Sequence, residues 1–100
     1  PAGGGDDVII YDGNCPGAMR ILDVEVLIST PRAGSNVQLR NALGGGGAAC
    51  SDAFTAAGAG RQRDAGTAVT ATSLIPSNGT LVLRRSDRGV AGEVILFVQR

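Results

Sequence analysis

The feature that most constrains the fold is the alternation of apolar and charged residues in MRILDVEVLIST, residues 19–30. Apolar residues occupy every second position from Leu22 to Ile28, and Asp23 and Glu25 lie between them. Successive side chains of a β-strand point to opposite faces, whereas a helix needs apolar residues three and four positions apart. The stretch is therefore predicted to be a strand with one buried and one exposed face.

Other β-prone stretches recur at intervals of roughly ten residues, separated by Gly, Pro and Asn, which is the spacing of an all-β domain. One hundred residues is the size of a single domain. We therefore predict an all-β, antiparallel β-sandwich or jelly-roll-like domain over residues 7–100, preceded by a flexible glycine-rich arm, residues 1–6. The further strands are predicted in DVIIY (7–11), VQLRNAL (37–43), TAVTATSLI (67–75), TLVLRR (80–85) and VAGEVILFVQR (90–100).

Two segments are less regular. The run Gly44 to Gly47 predicts a mobile loop, because four glycines have no side chains to pack. In the following segment, residues 48–66, a short helix through DAFTAA and an irregular strand with Phe54 inward are both compatible with the residues. The helix would be capped by Ser51 or Asp52 and ended by Gly58.

The last predicted strand is apolar on both faces. Val94, Leu96 and Val98 lie on one face, and Ile95 and Phe97 lie on the other. Such a strand is either central in a packed sheet or buried against a partner.

The stretch PSNGTLVLRRSDRG, residues 76–89, contains a turn signal and an arginine cluster. Asn78-Gly79 predicts the turn of a β-hairpin that leads into the strand of Leu81 and Leu83. The run from Arg84 to Arg88 is then the polar connection to a buried last strand.

Composition argues against most catalytic and ligand-binding classes. The chain has no His and no Lys, so His-dependent triads, imidazole metal sites and a phosphate-binding Walker loop are excluded. Cys15 and Cys50 are too few for a structural zinc site and are either one disulfide or two inert thiols. Asp23 and Glu25 are expected to pair with an arginine rather than act as an acid/base couple, and Arg20 or Arg40 are candidates. We therefore predict neither enzymatic activity nor a cofactor, metal or small-molecule substrate.

The charges also argue against nucleic acid and membrane partners. Nine Arg balance nine Asp and Glu, so the chain has no net positive charge that would attract nucleic acid or an anionic membrane. No apolar run approaches the ~20 residues of a membrane-spanning helix. Arg is enriched at protein interfaces, so the arginine-rich loops favour a protein partner.

From residue 19 to residue 100 the chain resembles small virion proteins of tailed bacteriophages, of the capsid decoration or cement type. The resemblance rests on RILDVEVLIST, the glycine-rich break before AACSDAF, RDAGT, SNGTLVLRRSD and EVILFVQR. It implies a non-enzymatic β-sandwich that assembles in the bacterial cytoplasm as a homotrimer on the capsid exterior and clamps the major capsid protein. The residues expected at a capsid or subunit interface are Asp6, Asp7, Arg61, Arg63, Arg84, Arg85, Arg88, Ile95 and Phe97.

An alternative function is a fibre or tail module that recognises a surface glycan or protein. Glycan sites usually carry exposed aromatic side chains, and the chain has one tyrosine, Tyr11, and no tryptophan. This alternative therefore ranks below the decoration protein.

Overall fold

The computed structural model describes residues 4–44, 47–63 and 74–100. Within these ranges the chain forms strands joined by turns and loops, without a helix. The strands are β1 (Asp6–Tyr11), β2 (Met19–Thr30), β3 (Asn36–Arg40), β4 (Phe54–Thr55), β5 (Gly60–Arg63), β6 (Leu74–Ile75), β7 (Leu81–Arg85) and β8 (Ala91–Gln99). The prediction of an all-β fold is confirmed.

The described strands form two antiparallel sheets. In the first sheet the order is β1-β7-β3-β4. The second sheet is built around β2, which pairs with β8 along one edge and with β5 and β6 at separate positions along the other. β2 is the long alternating strand of the sequence, and its length lets it hold three partners.

The two sheets contribute to one hydrophobic core. Val24 and Val26 of β2 are buried together with Leu39 of β3 and Leu81 of β7. Most of the core side chains are aliphatic, and Phe54 of β4 is the aromatic among them. Removal of this apolar surface from water is the main contribution that stabilises such a fold.

A β-bulge interrupts the alternation in β2. Ile21 pairs with Val98 and Asp23 pairs with Phe97, so Leu22 is the extra residue between two regular pairs. Leu22 is 59% exposed, and the prediction that it faces inward is wrong. A bulge adds one residue to one strand and thereby changes which later positions point into the core.

The segment after the glycine run is extended. Phe54 is buried within β4, so the strand alternative is correct and the helix through DAFTAA is not formed. Residues 45–46 of the predicted mobile loop and residues 64–66 lie outside the described residues. Of the strand predicted at 67–75, only Leu74–Ile75 is described, as β6.

The turn at Asn78 is confirmed, but the hairpin is wrong. The Gly79 N–H donates to the Pro76 carbonyl over 2.9 Å, and Asn78 has a φ of 61°. Asn tolerates this left-handed backbone better than most residues. However, β6 pairs with β2 whereas β7 pairs with β1 and β3, so the turn carries the chain from one sheet to the other.

β8 lies at the edge of the second sheet, and β2 is its partner among the described strands. Of the two alternatives for the last strand, the central position is therefore wrong among the described strands. Most of β8 is exposed within one chain, and burial against a partner stays a prediction. Arg84 and Arg85 lie within β7, and the connection to β8 is the turn that follows them.

Gly92 allows close approach of β8 to β2. A Cβ at this position would overlap the carbonyl oxygen of Leu27.

The predicted N-terminal arm continues into β1, an edge strand of the first sheet, which begins at Asp6, the last residue of that arm. The Gly4 carbonyl just before it accepts a hydrogen bond from the Arg88 N–H over 3.3 Å. Residues 1–3 lie outside the described residues.

Candidate interaction surface

Arg85 ties β1 to β7 and to the start of β8. Its Nε and Nη2 donate to Oδ1 and Oδ2 of Asp6 over 2.7 and 2.5 Å, and its Nη1 donates to the Val90 carbonyl over 2.7 Å. This forked arrangement is the strong form of a charge-assisted hydrogen bond. The hydrogen bonds from Arg85 hold the pKa of Asp6 below its usual value, against a smaller opposing effect of burial. The contacts of these two residues are therefore within the chain.

Asp7 fastens the loop after β3 to the outer face of the first sheet. Its Oδ2 accepts the Gly44 N–H over 2.7 Å, and its Oδ1 lies 3.6 Å from Nη1 of Arg84. The Asp7 side chain is 11% exposed. Val82, next to Arg84 in β7, is fully buried although it does not face the other sheet. Asp7 therefore links β1, β7 and the loop after β3 on this side of the sheet.

Two further ion pairs lie on the outer face of the second sheet. Arg61 Nη1 donates to Glu25 Oε1 over 3.2 Å, and Arg63 Nη2 donates to Asp23 Oδ2. The hydrogen bond from Arg63 lowers the pKa of Asp23 and raises that of Arg63 itself. The arginine side chains remain 60% and 64% exposed, so both stay accessible to a partner.

The predicted partners of these carboxylates were wrong. Arg20 lies on β2, the same strand as Asp23 and Glu25, and Arg40 lies on β3 in the first sheet. Cross-strand pairing selects the residues of the adjacent strand, which here is β5.

The outer face of β8 continues this charged surface with apolar side chains. Ile95 pairs with Glu25 and Phe97 pairs with Asp23, so these side chains share the outer face of the sheet. Ile95 and Phe97 are 39% and 45% exposed. We call this face the β8 outer face, formed by Ile95, Phe97, Asp23, Glu25, Arg61 and Arg63.

The nine residues expected at an interface thus fall into two places. Arg61, Arg63, Ile95 and Phe97 belong to the β8 outer face. The others lie at the paired end of β1 and β7 or in the turn that follows it. Arg88 is exposed in that turn, and among the described residues no carboxylate lies within 4.0 Å of its guanidinium. The second group is Asp6, Asp7, Arg84, Arg85 and Arg88.

An apolar cleft opens between the edges formed by β1 and β8, and the sequence did not reveal it. Its volume is about 270 Å³. Val8 and Leu83 line it from the first sheet, and Val26 and Val94 line it from the second. No local signal marks such a cleft, because its walls come from strands far apart in the chain.

The two cysteines are buried free thiols, so the disulfide alternative is not realised. The Cys15 thiol donates to the Gly17 carbonyl over 3.2 Å. Burial raises the pKa of the Cys50 thiol to about 11, a rise that nearby Arg40 partly opposes. A protonated, buried thiol is a poor nucleophile and a poor metal ligand.

Among the described residues, no three His, Cys, Asp or Glu side chains are grouped so that they could hold a metal ion. The same residues form no helix long and apolar enough to cross a bilayer. Comparison of the chain with protein families, with curated proteins and with solved structures finds no match.

Proposed function

We propose that the protein is a non-enzymatic structural protein of a virion, a decoration or cement protein on the outer surface of a bacteriophage head. It binds the major capsid protein there and stabilises the shell, after assembly in the bacterial cytoplasm. The resemblance implies three copies in each unit, and this number stays a prediction.

The β8 outer face is the observation that supports this proposal best. Ile95 and Phe97 expose apolar surface at its edge, and Arg61 and Arg63 lie across the sheet from them. Aromatic and arginine side chains are enriched at protein interfaces, with apolar surface at the centre and polar residues at the rim. A face of this kind suits docking to a protein surface.

Two of the stretches that carry the resemblance form the two longest of the described strands. RILDVEVLIST forms most of β2 and EVILFVQR forms most of β8, and the strands pair from Arg20–Gln99 to Thr30–Ala91. The segments therefore act together as one structural unit, which presents the β8 outer face.

Cosedimentation with phage heads tests the proposal. The purified protein is mixed with expanded heads of the phage whose genome encodes it, prepared without the protein. We expect it to sediment with the heads, to saturate at a fixed ratio to the major capsid protein, and to raise the temperature at which the heads break. Heads that sediment without the protein at every concentration would overturn the proposal.

Substitutions that introduce or reverse a charge locate the contact with the capsid. Phe97→Lys and Arg61→Glu change the β8 outer face, and Ile9→Lys changes an exposed residue of β1 instead. We expect the first two variants to bind heads more weakly and the third to bind like the unaltered protein. Circular dichroism confirms that each variant is folded. If all three bind equally well, the capsid contact does not lie on the β8 outer face.

The same preparations separate the alternative function. A fibre or tail module would bind oligosaccharides or a bacterial surface and would leave the heads unoccupied. Binding to a glycan array without cosedimentation would favour that alternative over the decoration protein.

A further inference from the structure

β8 is an unprotected sheet edge. The strand extends over nine residues, and the edge that faces away from β2 has no partner among the described strands. Natural proteins usually protect such edges with charges, proline, bulges or short strands, because free N–H and C=O groups pair with any strand that reaches them. β8 has one charged residue, Glu93, and no proline.

Both faces of β8 offer apolar side chains to a pairing strand. Ile95 and Phe97 are exposed on the outer face. On the inner face Val94 and Leu96 are half-buried, and Val98 is 38% exposed. A strand that joined this edge would cover apolar surface on both sides and would lie beside the cleft between β1 and β8.

The residues of β8 complement a second copy of the same strand. In antiparallel self-pairing centred on Leu96, Val94 would face Val98 of the other copy, and Ile95 would face Phe97. Glu93 would face Gln99, which can donate a hydrogen bond to it. From Val94 to Val98 every residue thereby meets an apolar one, and the carboxylate of the strand meets a donor on the same face of the sheet.

Other arrangements of two β8 strands match less well. A centre on Ile95 would place Glu93 against Phe97, and a centre on Phe97 would place Ile95 against Gln99. Parallel in-register pairing would bring the two Glu93 carboxylates side by side, and like charges in that position are destabilising. The antiparallel pairing centred on Leu96 is the one that the side chains favour.

We propose that β8 is a self-association edge, at which two copies of the chain pair antiparallel about a two-fold axis at Leu96. The second sheet then continues from one copy into the other. A two-fold contact repeats the same residues on both sides, as in most closed homodimers. It leads to a dimer, or to a unit of six if it joins two trimers. The inference rests on the β8 edge alone and does not depend on a role in a virion.

Light scattering coupled to size-exclusion chromatography tests the proposal on the isolated chain over a range of concentrations. We expect the unaltered protein to form a dimer or a unit of six. Gln99→Glu, at an exposed position, should weaken the two-fold contact about tenfold or more, because it would place a carboxylate opposite Glu93 of the other copy. The double variant Glu93→Gln with Gln99→Glu should restore it, because the carboxylate and the amide are then exchanged across the axis. Restoration distinguishes a direct contact from a general effect on folding.

A matched pair of apolar substitutions completes the test. Ile95→Lys places a charge on the β8 edge, and Ile9→Lys places the same charge on β1, where Ile9 is 54% exposed. We expect the first to dissociate the assembly and the second to leave its mass unchanged. The proposal is overturned if the unaltered protein is monomeric at all concentrations, or is a trimer whose mass none of these variants changes. A double variant that does not restore the contact would also overturn it.

Discussion

The edge strands β1 and β8 border the same cleft, yet they differ in length and in charge. β1 is six residues long and begins with two aspartates, both paired with arginines of β7. β8 is nine residues long, has one charge and exposes Ile95, Phe97 and Val98. Charges and short length are the usual means of protecting an edge strand from foreign pairing. β1 also exposes apolar side chains, Val8 and Ile9, so length and charge are what distinguish the two edges. By these two criteria β1 is the better protected edge.

The comparison also separates the two faces of β8. The inner face contributes Val94 and Leu96 to the edge of the core, whereas the outer face has no sheet packed on it among the described residues. Substitutions on the inner face should therefore affect folding, and substitutions on the outer face should affect association. The predictions that follow test this division, beginning with the largest effect.

Leu96→Asp should lower the free energy of unfolding by about 3 kcal/mol, since it removes a packed side chain and places a charge beside apolar residues. Val98→Asp on the same face should cost less, because Val98 is already 38% exposed. Urea denaturation followed by circular dichroism measures both values. Equal effects would show that the inner face of β8 does not differ in packing along its length.

Gly92→Ala should lower the free energy of unfolding by about 1–3 kcal/mol, because the new Cβ would force β8 away from the Leu27 carbonyl. Gly5→Ala is the counterpart beside β1, where the Cβ would lie 2.5 Å from the Arg85 carbonyl oxygen. Gly58→Ala is the control, since nothing lies within 4 Å of its Cβ position. A Gly92 variant as stable as the Gly58 variant would contradict the close approach of β8 to β2.

Asp6→Asn should destabilise the protein by less than about 1 kcal/mol at pH 7, because the pair with Arg85 is partly exposed. The pKa of Asp6 is lowered in the folded state, so its contribution is present above the unfolded value of 3.8 and is lost as the pH falls through the folded pKa. The difference in the free energy of unfolding between the variant and the unaltered protein should therefore decrease as the pH is lowered from 7 to 4 and to 2.5, as measured by denaturation curves. A constant difference at all three pH values would contradict this assignment.

Arg63→Ala should have the smallest effect on stability. The ion pair with Asp23 is exposed to solvent, and exposed pairs contribute little to the free energy of unfolding. We expect no measurable change in the melting temperature by differential scanning fluorimetry. A loss of several degrees would show that this ion pair contributes to the stability of the fold.

The sequence predicts best where the pattern is long and local. The period of two in residues 19–30 identified β2 with the bounds that the structure has. The bulge is not visible in that pattern. Ile21 and Leu22 are adjacent apolar residues, and two adjacent side chains of a strand cannot both point into the core. The residues of β8 are compatible with a central strand and with a strand buried against a partner, since its position depends on which strands pair and not on those residues alone.

The candidate surface was predicted in its residues but not in its geometry. Arg61 and Arg63 were recognised as exposed cations, and Ile95 and Phe97 as an apolar face, yet only the pairing of β5 and β8 with β2 brings them together. The partners of Asp23 and Glu25 were misassigned for the same reason. Cross-strand neighbours are a property of topology, which short sequence patterns do not contain.

The two buried cysteines can be used to measure local opening of the structure around them. Cys50 is held where its Sγ lies near the Ala48 carbonyl, and its N–H donates to the Leu39 carbonyl of β3 over 2.8 Å. Cys15 lies in the loop before β2, where its N–H donates to the Gly79 carbonyl over 3.3 Å. A thiol reagent reaches either sulfur only when its surroundings unfold. The labelling rates of the two cysteines would therefore measure local opening beside β3 and before β2 separately, without the introduction of a new cysteine.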